Sequence, residues 1–171
     1  MNAQPQAAYV LDTNVFVEAY RRYYALDLCP GFWDCLAHHC QTPRLLSIDR
    51  VKDEITGGDA LAVWAEQAPH ALFVSTAQQA VVSRYAEVMT WVHENPRFRP
   101  EAKAEFARGA DGWVIAYAEV YGLTLVTHEA FDPNARKRVP IPNVCRHFGV
   151  PTEDTFSMLR RLEVQFRWAS S

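Results

Sequence analysis

The chain has 171 residues, about one domain, and 49% of them are hydrophobic, enough to bury a full core. Seventeen Lys and Arg against twenty Asp and Glu give a formal charge of -3. That excludes a polycation that binds nucleic acid through overall charge, so any such binding has to be local. The start, Met1 to Gln6, has neither a basic nor an apolar leader region, and no apolar run reaches the roughly 18 positions of a membrane span. A soluble, cytoplasmic protein with no membrane association is expected. Cys29, Cys35, Cys40 and Cys145 form no CxxC pair and read as reduced, mostly buried thiols.

Tyr9-Val10-Leu11 is a short apolar strand closed by Asp12, and Val15 to Tyr24 reads as a helix. Leu45 to Ile48 form a second strand candidate, after which Asp49 can cap a short helix that carries Glu54 and ends at Gly57-Gly58. A helix over roughly Ala60 to Ala68 and a short extended piece at Phe73-Val74 follow. Ser75 and Gln78 have the spacing of a capping box. Behind them Val81, Val82, Tyr85, Val88, Met89 and Val92 recur at helical period until Asn95-Pro96. Arg97 to Lys103 is a basic, polar segment, and a helix from about Asp111 to Tyr121 ends at Gly122.

Leu123 to Thr127 is the clearest buried strand in the chain and runs directly into His128-Glu129. Phe131 to Asn143, with three prolines and the run Arg136-Lys137-Arg138, reads as a loop with at most a short strand at Val139 to Ile141. A short helix ending at Gly149 and a last one, capped by Thr152 and running toward Ser171, complete the pattern. Strands alternating with helices predict an α/β fold with a mainly parallel central sheet flanked by helices, in a single domain over residues 1–171.

Asp12 closes the first strand, Glu129 follows a late one, and Asp111 opens a helix. In open parallel sheets ligands bind at the carboxyl ends of the strands, near the point where strand order reverses, so these acids are expected to converge there. Carboxylates grouped within about 5 Å repel by roughly 3 kcal/mol per pair at an effective dielectric near 20. Such a cluster persists only with a cation or with raised pKa values. Oxygen ligands without His or Cys favour Mg²⁺ or Mn²⁺, as one or two ions, and that choice suits phosphate chemistry. The group Cys35, His38, His39 and Cys40 invites a zinc reading, but its spacing matches no usual finger or ribbon.

Tyr9 to Phe16, with Asp12-Thr13-Asn14 at its centre, resembles the opening of a PIN domain. Val51 to Ile55, with Glu54, is similar to that family's second acidic motif, Ala110 to Ala118, with Asp111, to its third, and Leu125 to Glu129 to its fourth. Together these motifs cover about residues 8–150. The resemblance implies a PIN-like three-layer fold and a metal-dependent endoribonuclease that hydrolyses RNA phosphodiester bonds. Asp12, Glu54, Asp111 and Glu129 would be its catalytic and metal-binding residues, with Thr13, Asn14 and Thr127 supporting them through hydrogen bonds. The family's fourth acid is usually Asp; Glu129 is one methylene longer, and Asp132 is a substitute candidate.

Among PIN proteins the chain is most similar to bacterial single-domain toxins of toxin–antitoxin pairs. That implies a cognate antitoxin protein as partner beside the RNA substrate, and allows a homodimer. Arg136, Lys137 and Arg138 follow the fourth acid, where they either contact RNA or form a solvated charge run. Two other readings remain beside this one. A catalytically inactive PIN-like protein- or RNA-binding module is disfavoured by the four retained acids. A phosphatase-like hydrolase with a nucleophilic Asp is disfavoured by Asn14, where that chemistry wants a second Asp. His128 reads as an exposed histidine.

Overall fold

A computed structural model describes residues 8–55 and 57–168. Its elements are β1 (Tyr9–Leu11), α1 (Thr13–Glu18), α2 (Pro30–Gln41), β2 (Leu45–Ile48), α3 (Asp49–Glu54), α4 (Ala60–Gln67), β3 (Phe73–Val74), α5 (Gln79–Glu94), α6 (Pro100–Arg108), α7 (Asp111–Tyr121), β4 (Thr124–Val126), α8 (Ile141–Phe148), β5 (Thr152–Glu153) and α9 (Thr155–Arg161). The five strands are all parallel, in the order β3-β2-β1-β4-β5. The chain is therefore an α/β protein with a parallel central sheet flanked by helices, consistent with the three-layer fold expected. Because strand order runs one way from β1 to β3 and the other way from β4 to β5, right-handed crossovers place α2 to α4 and α5 to α8 on opposite faces.

β1 is the middle strand, covered from both sides, which is why Tyr9, Val10 and Leu11 are all apolar-faced and buried instead of alternating with polar residues. Leu11 lies opposite Val126, and the Asp12 N–H extends the ladder by one bond to the Val126 carbonyl at 3.0 Å. On the other side the buried Ser47 of β2 donates its hydroxyl to the Leu11 carbonyl at 2.7 Å. Asp12 thus leaves the sheet from a fixed backbone, where strand order reverses.

α7 packs against β1 and β4, and its Val114, Ile115, Ala116 and Ala118 are essentially inaccessible. Gly122 then takes a φ of 65°, a left-handed cap that turns the chain into β4. The other side of α7 meets α5 and α6 at Gly112. A Cβ there would stand 3.0 Å from Tyr85 Cε2 and 3.3 Å from Met89 Sδ and Phe106 Cε1. The Tyr85 ring has little freedom to give, since it is stacked on Trp113 at 3.7 Å between centroids. The missing side chain of Gly112 thereby sets how closely the first turn of α7, with Asp111, seats against its neighbours.

Several local expectations are corrected. The first helix begins at Thr13 and passes into a π-helical turn at Ala19–Tyr23. Asp49 lies inside α3 and not ahead of it; its carboxylate accepts from the Thr76 N–H at 3.1 Å and the Thr76 hydroxyl at 2.8 Å, which fastens α3 to the exit of β3. Ser75 and Gln78 form no capping box: the Ser75 hydroxyl accepts from the Ala77 N–H at 3.1 Å, a local turn. Part of the basic segment Arg97 to Lys103 is helical, because Pro100 suits a first helical position and Ala102 and Phe106 supply an apolar face. No strand forms at Val139 to Ile141; Pro140 precedes the first residue of α8.

Thr152 belongs to β5, and Asp154 is the residue that caps α9, accepting from the Ser157 N–H at 2.7 Å. That helix ends at Arg161 and does not run on toward Ser171. Met1 to Gln6 and the last three residues lie outside the described residues. Cys40 and Cys145 are buried, Cys29 and Cys35 half-buried, and all are free. Among the described residues no helix is long and apolar enough to cross a membrane.

Replacing Gly by Ala within a helix ordinarily gains up to about 1 kcal/mol. At position 112 the crowding with Tyr85, Met89 and Phe106 opposes that gain, and overpacking costs typically about 1–3 kcal/mol. Urea unfolding of Gly112→Ala should therefore show a lower midpoint at unchanged slope. A raised midpoint would mean that the α5–α6–α7 contact is loose.

Candidate active site

Asp12, only 2% exposed, accepts from the Thr13 N–H at 2.7 Å through Oδ1 and from the Thr127 hydroxyl at 3.1 Å through Oδ2. Thr127 is the hub that joins the ends of β1 and β4. While its hydroxyl donates to Asp12, its oxygen accepts from Asn14 Nδ2 at 3.1 Å and from the Glu129 N–H at 3.2 Å. Asn14 completes the clamp by accepting from the His128 N–H at 3.0 Å. Thr13 and Asn14 at the start of α1 are thus tied by hydrogen bonds to Asp12 and to Thr127 past β4. Thr13 donates its hydroxyl to Glu54 Oε2 in a short contact.

Glu54, on the exposed end of α3, uses Oε1 to accept from the Ala110 N–H at 2.7 Å, just ahead of α7. Gly109 leaves room for it, since a Cβ there would lie 3.2 Å from Glu54 Oε1. Asp111, the first residue of α7, is half-buried, and its carboxylate accepts no hydrogen bond from the described residues. Glu129 accepts from the Ile141 N–H at 2.8 Å, at the first turn of α8, and its other oxygen pairs with Arg138 Nη2 at 2.8 Å. Asp111, Glu129 and Arg138 line one cavity of about 310 Å³ with Glu105, Phe106 and Val139.

Asp132 is elsewhere. Its Oδ1 accepts from the Asn134 N–H at 2.8 Å in an exposed turn, and its backbone is clamped to Asn143 at 3.0 and 2.7 Å. Of the two candidates for the fourth acid, the structure brings Glu129 into the cavity and leaves Asp132 outside it. Arg136 and Lys137 are exposed beside the cavity, whereas Arg138 is committed to Glu129. His128 is not an exposed histidine: half-buried, it meets the Thr155 hydroxyl at 2.9 Å and lies against Tyr23 and Phe156.

The electrostatics follow from burying like charges together. Burial, joined by the charge of Glu129, raises the Asp12 carboxyl to about 7, against the hydrogen bonds from Thr13 and Thr127 that hold it down. Burial and the charges of Asp12, Glu129 and Glu54 raise Asp111 to about 8, while Arg138 pulls it down. Among the described residues no three His, Cys, Asp or Glu side chains are gathered in an arrangement that could hold an ion, since Glu54 and Glu129 are turned to partners of their own. The chemistry of Asp12 and Asp111 nevertheless fits a hard divalent cation. Both offer only oxygen, both are desolvated, and each is raised by neighbouring negative charge that a cation would offset.

Sequence reasoning missed Ser47, Glu105 and the Arg138–Glu129 pair. Ser47 is one polar residue in an apolar strand, a signal that could have been read as a tie to β1. Glu105 sits on α6, whose amphipathic spacing of Ala102 and Phe106 was the available clue. The ion pair spans a loop and has no local signal. A family model described as a domain of unknown function (DUF4411) matches residues 9–166. No curated protein gives a significant match to the chain.

The raised carboxyls dictate a pH dependence. An acid whose folded pKa lies above its ordinary 3.8 binds more protons folded than unfolded, so its contribution to stability is best at low pH and falls as the pH rises toward 7 for Asp12 and 8 for Asp111. His39 and His128, lowered by burial from 6.5, act in the opposite sense at more acid pH. Thermal unfolding without divalent cations, from about pH 6.5 to 8, isolates the carboxyls. The wild type should lose stability across that window and Asp111→Asn should lose less; parallel curves would show that Asp111 carries no raised pKa.

Proposed function

We propose that this chain, which belongs to the DUF4411 family of domains of unknown function, is a divalent-metal-dependent endoribonuclease. The observation that carries the reading is the meeting of buried Asp12 and half-buried Asp111, both raised by burial and by neighbouring carboxylates, with Glu129 at the reversal point of a parallel sheet. The resemblance of the four acidic motifs to PIN domains supports it from the sequence side.

In this reading Asp12 and Asp111 would hold Mg²⁺ or Mn²⁺, and their carboxyls, raised by burial, would have to give up protons to do so. The ion, once bound, supplies positive charge to a phosphate oxygen and lowers the pKa of a water. Thr127 and the Thr13 N–H keep the Asp12 carboxylate in one orientation, so little reorganisation is needed on binding. Glu54 bridges Thr13 and Ala110, between the starts of α1 and α7, and this supports a positioning role for it in this reading. Glu129 would be the further oxygen donor of the site, and it is paired with Arg138. A guanidinium released from that pair would be available to a phosphate, with Arg136 and Lys137 next to it in the chain.

The finer reading is the toxin of a toxin–antitoxin pair, acting in the cytoplasm, with an antitoxin that covers the acidic cavity. Its support is the motif resemblance. A second reading, an inactive RNA- or protein-binding module, is favoured by one feature: Arg138 already neutralises Glu129 where a cation would be needed.

Cleavage of a panel of structured RNAs with Mn²⁺ separates the two. Asp12→Asn and Asp111→Asn should each abolish cleavage while leaving the protein folded, and Glu129→Gln should lose far more than Asp132→Asn. Cleavage by Asp12→Asn at near the wild-type rate would remove the proposed site. On the toxin reading, expression without a partner should arrest growth only when Asp12 is intact; equal harm from Asp12→Asn would remove that assignment.

A further inference from the structure

A second groove adjoins the acidic cavity across the α6–α7 junction. It has a volume of about 350 Å³ and is lined by Arg50, Asp53, Glu54, Arg108, Ala110 and Trp113. Ala102 and Phe106 of α6 face the acidic cavity, whereas the next two residues, Ala107 and Arg108, face this groove. Ala110, which lines the groove, is the chain neighbour of Asp111, which lines the cavity, so a strand lying over Asp111 would reach the groove.

Arg50 is held there in one orientation although its surface is exposed. Its guanidinium lies 4.6 Å from the centroid of Trp113, whose ring is stacked in turn on Tyr85. Its Nε donates to the Thr76 hydroxyl at 3.3 Å, and Thr76 is anchored by Asp49. One of the five guanidinium N–H groups is thus used, and the terminal fork is not. Neither Arg50 nor Arg108 has an ion-pair partner among the described residues. Of the acids beside them, Glu54 is committed to Thr13 and Ala110, which leaves Asp53 as the opposing charge.

We infer that this groove is a phosphate subsite for the RNA strand, with Arg50 as an oriented two-pronged donor and Arg108 as a second cation, on the side of the acids away from Arg136 to Arg138. The inference rests on the ribonuclease reading for the identity of the strand. The requirement for phosphate comes from the pair itself: planar guanidinium forks match phosphate oxygens, and a carboxylate ligand would need only one of them.

The test is binding of a single-stranded oligoribonucleotide to the full chain carrying Asp12→Asn, measured across a range of salt. Adding Arg50→Gln or Arg108→Gln should weaken binding by roughly tenfold and flatten the slope of log K against log salt by about 0.7 each. Arg50→Lys should lose affinity like Arg50→Gln, since Lys lacks the fork, but keep the salt slope, since it keeps the charge, and Asp53→Asn should tighten binding. Should Arg50→Gln disturb the fold through Trp113, Arg108→Gln, which removes no hydrogen bond or ion pair among the described residues, still decides. Unchanged affinity and slope in both variants overturn the subsite. Arginine-dependent binding without any Asp12-dependent cleavage in the parent chain sustains the subsite and sinks the nuclease reading. No binding of RNA by the wild type overturns both.

Discussion

Backbone N–H groups at the starts of three helices hold three of the four acids: Thr13 of α1 on Asp12, Ala110 ahead of α7 on Glu54, and Ile141 of α8 on Glu129. Helix starts carry unpaired donors and partial positive charge, so each finds in a carboxylate the partner it lacks. The same carboxylates acquire fixed positions relative to the sheet. Asp111, which opens α7, is the exception: it gains no such donor and its carboxyl is raised higher than that of Asp12. The fold thereby concentrates negative charge at the carboxyl ends of β1 and β4, where neither solvent nor an internal ion pair fully offsets it.

What offsets it determines the state of the site. Arg138 supplies one positive charge and spends it on Glu129; protons on Asp12 and Asp111 supply the rest near neutral pH. On the proposed reading a divalent cation would compete with both. Arg138 therefore links the acidic cavity to the basic loop of Arg136 and Lys137, since occupancy of one alters the charge left free in the other. The loop is itself anchored, through Arg97 Nη1 on the Pro133 carbonyl at 2.5 Å and the Arg99 N–H on the Arg136 carbonyl at 2.9 Å. A basic surface held in this way needs no net positive charge on the whole chain to meet a phosphate backbone.

The parallel sheet was legible because β1, β2 and β4 are short apolar runs bounded by polar residues, and α5 and α7 keep their periodicity for several turns. The acids were legible because strand ends and helix starts are where a parallel sheet presents ligands, and Asp12, Asp111 and Glu129 occupy such places in the chain. α6 was hidden by its charge: Pro100, Glu101 and Lys103 read as loop until Ala102 and Phe106 are seen to share a face. β5 was hidden by its length, two residues whose pairing depends on β4 and not on their own pattern. The contacts that tune the site, Ser47 to Leu11, Arg138 to Glu129 and Arg50 over Trp113, join residues distant in sequence and leave no local trace.

The claim on which the account depends is that Asp12 and Asp111, raised by burial and by the neighbouring carboxylates, are partly protonated near neutral pH and would exchange those protons for a cation. Calorimetric titration of the wild type with Mn²⁺ near pH 7, repeated in buffers of different ionisation enthalpy, measures both parts of it at once. The account predicts binding coupled to release of protons to the buffer, with release that shrinks as the pH is raised past 8 and binding that is lost in Asp111→Asn. Binding with no proton release, or no binding at all, would contradict it.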